Sequence, residues 1–130
     1  MPRRRARLRH ATCASAVVLA AVASLPAGAV AEAKHCRSAD LRYSFEPGGP
    51  KTFGVFKLRM TGGSCATAHR VAKAWMQEFE ANIDDGRSEL PRTVAGFTFT
   101  RLPVQAAQTY RLRGRKRAKT IRFDYVVPNG

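Results

Sequence analysis

GGSCATAHRVAKAWMQEFEANIDDG, residues 62–86, is the stretch on which the fold turns. Ser64 follows two glycines and suits an N-cap, because its hydroxyl can accept from a free backbone N–H of the first helical turn. At 100° per residue, Cys65, Ala68, Val71, Ala72, Trp75, Met76, Phe79 and Ile83 fall within an arc of about 140°. Arg70, Lys73, Gln77 and Glu80 lie outside it. The pattern predicts one amphipathic helix from Cys65 to about Ile83, with an apolar face that another layer must cover. Asp84 and Asp85 oppose the helix dipole, so the helix is expected to stop before them. Gly86 can then take the left-handed position that closes a helix.

The cover comes from strands on both sides. Leu41, Tyr43 and Phe45 alternate with Arg42 and Ser44, the period of a half-buried strand. Glu46-Pro47-Gly48-Gly49-Pro50 is a turn, and Phe56, Leu58 and Met60 then alternate with Lys57 and Arg59. After the helix, residues 86–95 read as a loop around Pro91. Phe97 and Phe99 form a third strand, which Pro103 ends. Tyr110 and Leu112 mark a fourth, and Ile121, Phe123, Tyr125 and Val127 a fifth. Gly114 to Ala118 reads as a basic hairpin tip between the last two. The order ββαβββ predicts an α+β domain: an antiparallel sheet of about five strands with one helix on one face.

The N-terminus reads as a leader. Arg3, Arg4, Arg5, Arg7 and Arg9 precede an apolar run from Ala14 to Leu25, and small residues at Ala29-Val30-Ala31 and Ala31-Glu32-Ala33 offer cleavage sites. This is the layout of a secretory signal peptide. Residues 1–33 are assigned to it and 34–130 to a single domain. A Sec-type route is expected rather than a twin-arginine one, since no Phe-Leu follows the paired arginines. Cys13 precedes the apolar run and makes a poor lipoprotein site. No later segment has the roughly 20 apolar residues that spanning a bilayer requires, so release as a secreted monomer is expected.

Of three cysteines, Cys13 leaves with the leader, and Cys36 and Cys65 remain. An even count in an exported domain predicts a disulfide. It closes a loop of about 30 residues, worth roughly 3–4 kcal/mol in the chain-entropy model. A reactive thiol at Cys65 is the alternative, but no second Cys stands near it.

The full chain carries a net charge of +14. Five of its 23 basic residues and one of its nine acidic residues belong to the leader, which leaves 18 against eight, or +10. Such a balance favours anionic partners. Abundant Arg and Ala also fit a GC-rich coding bias, which would make part of the charge a solvated face.

The run Ser64-Cys65-Ala66-Thr67-Ala68-His69-Arg70-Val71-Ala72 resembles the helix start of small exported actinobacterial proteins that have no assigned function. In these an early Cys precedes the Ser-Cys-Ala-x-Ala helix, and a Gly-aromatic strand and a basic C-terminal hairpin follow. Cys36, Gly96-Phe97 and Tyr110 to Phe123 stand in those places here. The resemblance implies the fold and export and supplies no activity. Such proteins often carry a second Cys pair on the later strands. Phe99 and Leu112 occupy roughly those places, which implies an apolar contact where others have a disulfide.

No catalytic constellation assembles. His69 stands one turn from Ser64 and Cys65, so a nucleophile pair is geometrically open, but no third group orients it. His35, Cys36, Cys65 and His69 match a zinc set by type, not by spacing. Neither a metal nor a cofactor is therefore expected. Glu78, Glu80, Asp84, Asp85 and Glu89 offer carboxylates, with Glu78 and Glu80 on different helix faces. Gly62-Gly63-Ser64 lacks the Lys-Ser/Thr of a phosphate loop and reads as capping.

The strongest lead is the C-terminal hairpin. Arg111, Arg113 and Arg122 alternate onto the face opposite Tyr110, Leu112, Ile121 and Phe123, and Arg115, Lys116, Arg117 and Lys119 crown its tip. Its aromatics belong to the core, whereas nucleic-acid grooves interleave exposed aromatics with cations. An anionic envelope polymer or acidic protein surface is the expected partner, ahead of nucleic acid. The expectation is a non-enzymatic exported interaction domain. Alternatives are a small secreted hydrolase, or an inhibitor presenting residues 46–51 or 84–95.

The leader makes the first prediction. N-terminal sequencing of protein recovered from culture medium should begin at Glu32 or Lys34. An intact Met1 on the exported protein would overturn the assignment.

Overall fold

The computed structural model describes residues 32–128. The expected leader lies outside the described residues, apart from Glu32 and Ala33. The chain runs through β1 (Lys34–His35), a 3-10 turn (Ala39–Leu41), β2 (Arg42–Ser44), β3 (Lys51–Thr61) and α1 (Cys65–Asp84). It continues through β4 (Thr93–Val94), β5 (Phe97–Leu102), β6 (Thr109–Lys116) and β7 (Lys119–Val126). All pairings are antiparallel, in the order β1-β3-β7-β6-β5-β4, with β2 also on β3. The fold is thus α+β, one helix on an antiparallel sheet.

The sheet has seven strands rather than five. The two extra ones, β1 and β4, are two residues long, too short for alternation to register. β4 is held by a two-residue hairpin in which Ala95 and Gly96 both take positive φ, 50° and 80°. Such turns match the twist of antiparallel strands.

The helix starts as its sequence requires. The Ser64 hydroxyl accepts from Thr67 N–H at 3.1 Å. It ends one residue later than the charges imply, at Asp84. Gly86 N–H donates to Ile83 O and Arg87 N–H to Asn82 O, with Gly86 at φ 76°. This closure satisfies the last carbonyls and outweighs the charge–dipole penalty. Arg87 also pairs with Asp85 at 3.2 Å. Ile83, expected on the buried arc, is 49% exposed.

Trp75 is the centre of the core. It stacks on Phe79 at 5.2 Å and meets the rings of Phe123 and Tyr125 edge-on, both at 5.4 Å. Its Nε1–H donates to Pro91 O at 3.2 Å, so the buried indole keeps no free donor. Val55, Leu58, Met60, Leu112, Ile121 and Phe123 supply the sheet's side of this layer. Phe99 covers Gly114, where a Cβ would come within 2.6 Å of its ring. Phe99 and Leu112 share the helix-facing side but sit diagonally, since Phe99 is opposite Gly114 and Leu112 opposite Arg101.

Two strand readings are corrected. Leu41 is buried in the 3-10 turn, not in a strand, and β2 stops at Ser44, leaving Phe45 75% exposed. On β3, Phe56 does not share a face with Leu58 and Met60. The register slips by one residue between Phe56 and Arg59, where Lys57 adopts φ 52°. This bulge turns Val55 inward and Phe56 outward, under the Arg42 guanidinium at 4.3 Å.

A Cys36–Cys65 disulfide ties the strand before the 3-10 turn to the first residue of α1. Cys36 N–H also donates to Leu58 O at 2.8 Å, continuing the β1–β3 pairing. Ser38 is buried and donates to Val55 O at 2.8 Å, which seats the following turn.

Two stability outcomes follow from this packing. Phe79→Ala should cost about 3–5 kcal/mol by chemical denaturation; a loss below about 1 kcal/mol would contradict the packing. Cys65→Ser should cost roughly 2–5 kcal/mol, while thiol alkylation of the parent without reductant should label neither Cys36 nor Cys65.

Candidate anion-binding face

The helix covers one face of the sheet, and the other face is open. Register decides which side chains meet there. Arg113 is directly opposite Arg122 across β6–β7, and Arg122 is directly opposite Arg59 across β7–β3. Three arginines thus stand in one row across three neighbouring strands, which in a sheet lie about 4.8 Å apart. In the adjacent row, Arg111 faces Asp124, and Asp124 faces Phe56. Arg115 and Thr120 form the row beyond, toward the tip.

Directly opposed like charges destabilise a sheet. One carboxylate stands in the row beside them. Asp124 is buried and accepts from Arg111 Nε at 2.8 Å and Nη2 at 2.9 Å. Lys57 Nζ approaches the same carboxylate at 4.0 Å. These bonds raise the Arg111 pKa above its ordinary value, the hydrogen bond first and the charge second. The side chains of Arg59, Arg113 and Arg122 have no hydrogen bond or ion pair among the described residues, and Arg113 Nε is shielded from solvent with no partner.

The hairpin cations therefore divide. Arg111, Arg113, Arg115 and Arg122 lie on the open face. Lys116 and Lys119 face each other at the end of the hairpin, on the helix side of the pleat. There Lys116 Nζ lies 5.9 Å from the Phe97 ring centre. Arg117 sits in the turn itself, at φ 54°. The turn is only Arg117-Ala118, because β6 runs through Gly114 to Lys116. Lys57 and Arg59 belong to the same face and were missed as site residues. Their alternation was legible on β3, but nothing in the sequence says that β3 lies beside β7.

The other candidates are dispersed. Cys36 and Cys65 are bonded to each other, so neither is a thiolate or a metal ligand. Among the described residues no group of three metal-ligating side chains converges. Ser64 caps the helix, while His69 Nε2 meets Asp40 Oδ2 at 2.6 Å. That hydrogen bond holds the Asp40 carboxyl below its usual range, so its contribution is present at neutral pH and lost as pH falls through the lowered pKa. Glu80 accepts from the Tyr125 hydroxyl at 3.1 Å, and burial, then this carboxylate, push that phenol's pKa up. Glu78 and Glu89 are exposed on a cleft of about 620 Å³, facing Arg87, Arg92 and Arg101. Gly62 is shaped by packing, because a Cβ there would strike Ala118 O of the hairpin turn.

No family model matches the chain, and neither does any curated protein or solved structure with which it was compared. Among the described residues, no helix is long and apolar enough to cross a membrane.

Asp124 is the keystone of this face. Asp124→Asn should lower the melting temperature by several degrees, since Arg111 and Lys57 lose their counter-charge. Added sodium chloride should narrow the gap to the parent by screening the cation row. A melting temperature equal to the parent's at low salt would show that the row needs no carboxylate.

Proposed function

We propose that this chain is an exported, non-enzymatic interaction domain that binds an anionic cell-envelope polymer or an acidic protein surface through the open face of its sheet. The observation that carries this reading is the row Arg113, Arg122 and Arg59, three like charges in direct register with no carboxylate of their own. A sheet gains nothing in stability from that arrangement. An anionic partner would convert the repulsion into charge-assisted hydrogen bonds. Arg115 and Arg117 extend the positive band toward the hairpin tip.

Export is supported by the leader-like N-terminus and by a disulfide of the kind that persists in oxidising compartments. The resemblance of the helix start to small actinobacterial exported proteins agrees with this. Nucleic acid is the weaker partner. Phe56, the aromatic ring of the open face, is covered by Arg42 and is not free to stack on a base.

Arg113, Arg115 and Arg117 changed together to Gln should weaken retention on an anionic polymer column without lowering thermal stability, because Arg115 and Arg117 are exposed charges that contribute little to folding and loss of the Arg113 charge relieves a like-charge contact. Retention of the parent should fall steeply with salt near physiological strength, where screening acts over about 8–10 Å. Equal retention of parent and triple variant over several anionic matrices at low salt would refute the proposal.

A further inference from the structure

We infer that the open face contains a discrete site for a tetrahedral oxyanion, a phosphate or sulfate group carried by a larger ligand, in the cavity between Lys57, Arg59, Arg111 and Arg122. The inference rests on the reading of this face as anion-binding and adds the position and chemistry of the anion.

The cavity has a volume of about 270 Å³ and is lined by those four cations, Leu102, Phe123 and Asp124. This is just under the usual range for small-molecule sites. It has room for an anion and part of the group that carries it. Four cations against one carboxylate leave the cavity strongly positive. The carboxylate is already committed, because both Asp124 oxygens accept from one guanidinium, that of Arg111. Asp124 thereby fixes the plane of Arg111 and leaves its Nη1 unused. It is a positioning residue and repels rather than attracts the ligand.

The number of free donors selects the anion. Arg59 and Arg122 have no partners among the described residues, and Lys57 reaches Asp124 only at 4.0 Å. A ligand carboxylate has two oxygens in one plane, and a single guanidinium takes both, as Arg111 does with Asp124. It could bridge two donors lying near its plane, but with one negative charge and planar acceptors it matches fewer of the surrounding cations. A tetrahedral oxyanion presents oxygens in three or more directions. It can accept from both arginines and from Lys57 at once, with up to nearly two negative charges for a phosphomonoester. The aromatic residue of that lining, Phe123, is buried with its ring against Trp75 in the core, so recognition is of the anion itself. Arg113 flanks the site and raises its potential without lining it.

The test uses the full exported domain at low ionic strength, with inorganic phosphate, sulfate and acetate as probes and side-chain and amide NMR shifts as readout. Phosphate and sulfate should saturate with the largest shifts at Arg59 and Arg122, and acetate at equal ionic strength should not. Arg59→Gln with Arg122→Gln should weaken phosphate binding by at least about tenfold, as expected on losing a charged hydrogen bond. The change removes a repulsion, so the double variant should melt no lower than the parent. Arg122→Lys keeps the charge, loses the planar fork and should bind phosphate with intermediate affinity. Arg115→Gln with Arg117→Gln should leave phosphate binding unchanged while reducing polymer retention. Competition by polyphosphate against dextran sulfate then identifies which polymer source carries the anion. Equal shifts with acetate and phosphate, or unchanged phosphate affinity in the Arg59/Arg122 variant, would overturn the site. If polymer retention still falls in the tip variant, the surface reading stands and only the discrete site falls. If the parent binds neither polymer nor phosphate, both fall.

Discussion

Burial of Trp75 is the constraint on which the rest of this structure depends. Its indole is fully enclosed, and an enclosed indole N–H must find an acceptor or cost about 1–3 kcal/mol. Pro91 O is that acceptor. The contact fixes the path of the chain after the helix and brings residues 92–94 to the edge of β5. The same ring sets the height of α1 over β7, because Phe123 and Tyr125 meet its edges while Phe79 stacks on its face. A domain this small has little redundancy in its core. One aromatic cluster and one disulfide tie the helix to the sheet, and the disulfide does so at the opposite end, at Cys65.

With the aromatics drawn to one face, the other face receives what remains of the alternation. On β6 and β7 the charged part of that remainder is Arg111, Arg113, Arg115, Arg122 and a single Asp124. The two faces follow from one pattern, since each arginine is outside because its neighbour is inside. The core therefore imposes the cation row, and the row's repulsion subtracts from the stability that the core supplies. Asp124 limits the loss at one position by holding Arg111 in a two-pronged bond. Its burial keeps that bond from being screened as an exposed pair would be.

The bulge at Lys57 links the core to the open face. Upstream, Val55 packs inward beside Ser38 and the 3-10 turn. Downstream, Leu58 and Met60 pack inward under the helix. Inward residues three apart cannot both be reached by a regular period of two, so the strand carries one extra residue. Without it, Arg59 would point toward the helix whenever Val55 did. The left-handed backbone of Lys57 is the local cost of placing Arg59 beside Arg122.

Local chemistry in the sequence was enough to define the helix, its Ser64 cap, its Gly86 closure and its buried stripe, because capping and amphipathic period act within a few residues. The same locality made β5, β6 and β7 legible, along with the inward and outward sides of the last hairpin. Cys36 and Cys65 could be paired by elimination. Tertiary structure alone decided the rest. β1 and β4 exist only because β3 and β5 offer them edges, and two residues carry no period of their own. Phe56 faces outward because of a bulge that no residue near Lys57 announces. The candidate site depends on β3 lying beside β7, a neighbour relation between segments some sixty residues apart. Sequence alternation could say that Arg59 and Arg122 each leave the core; only the packing of the strands puts them side by side.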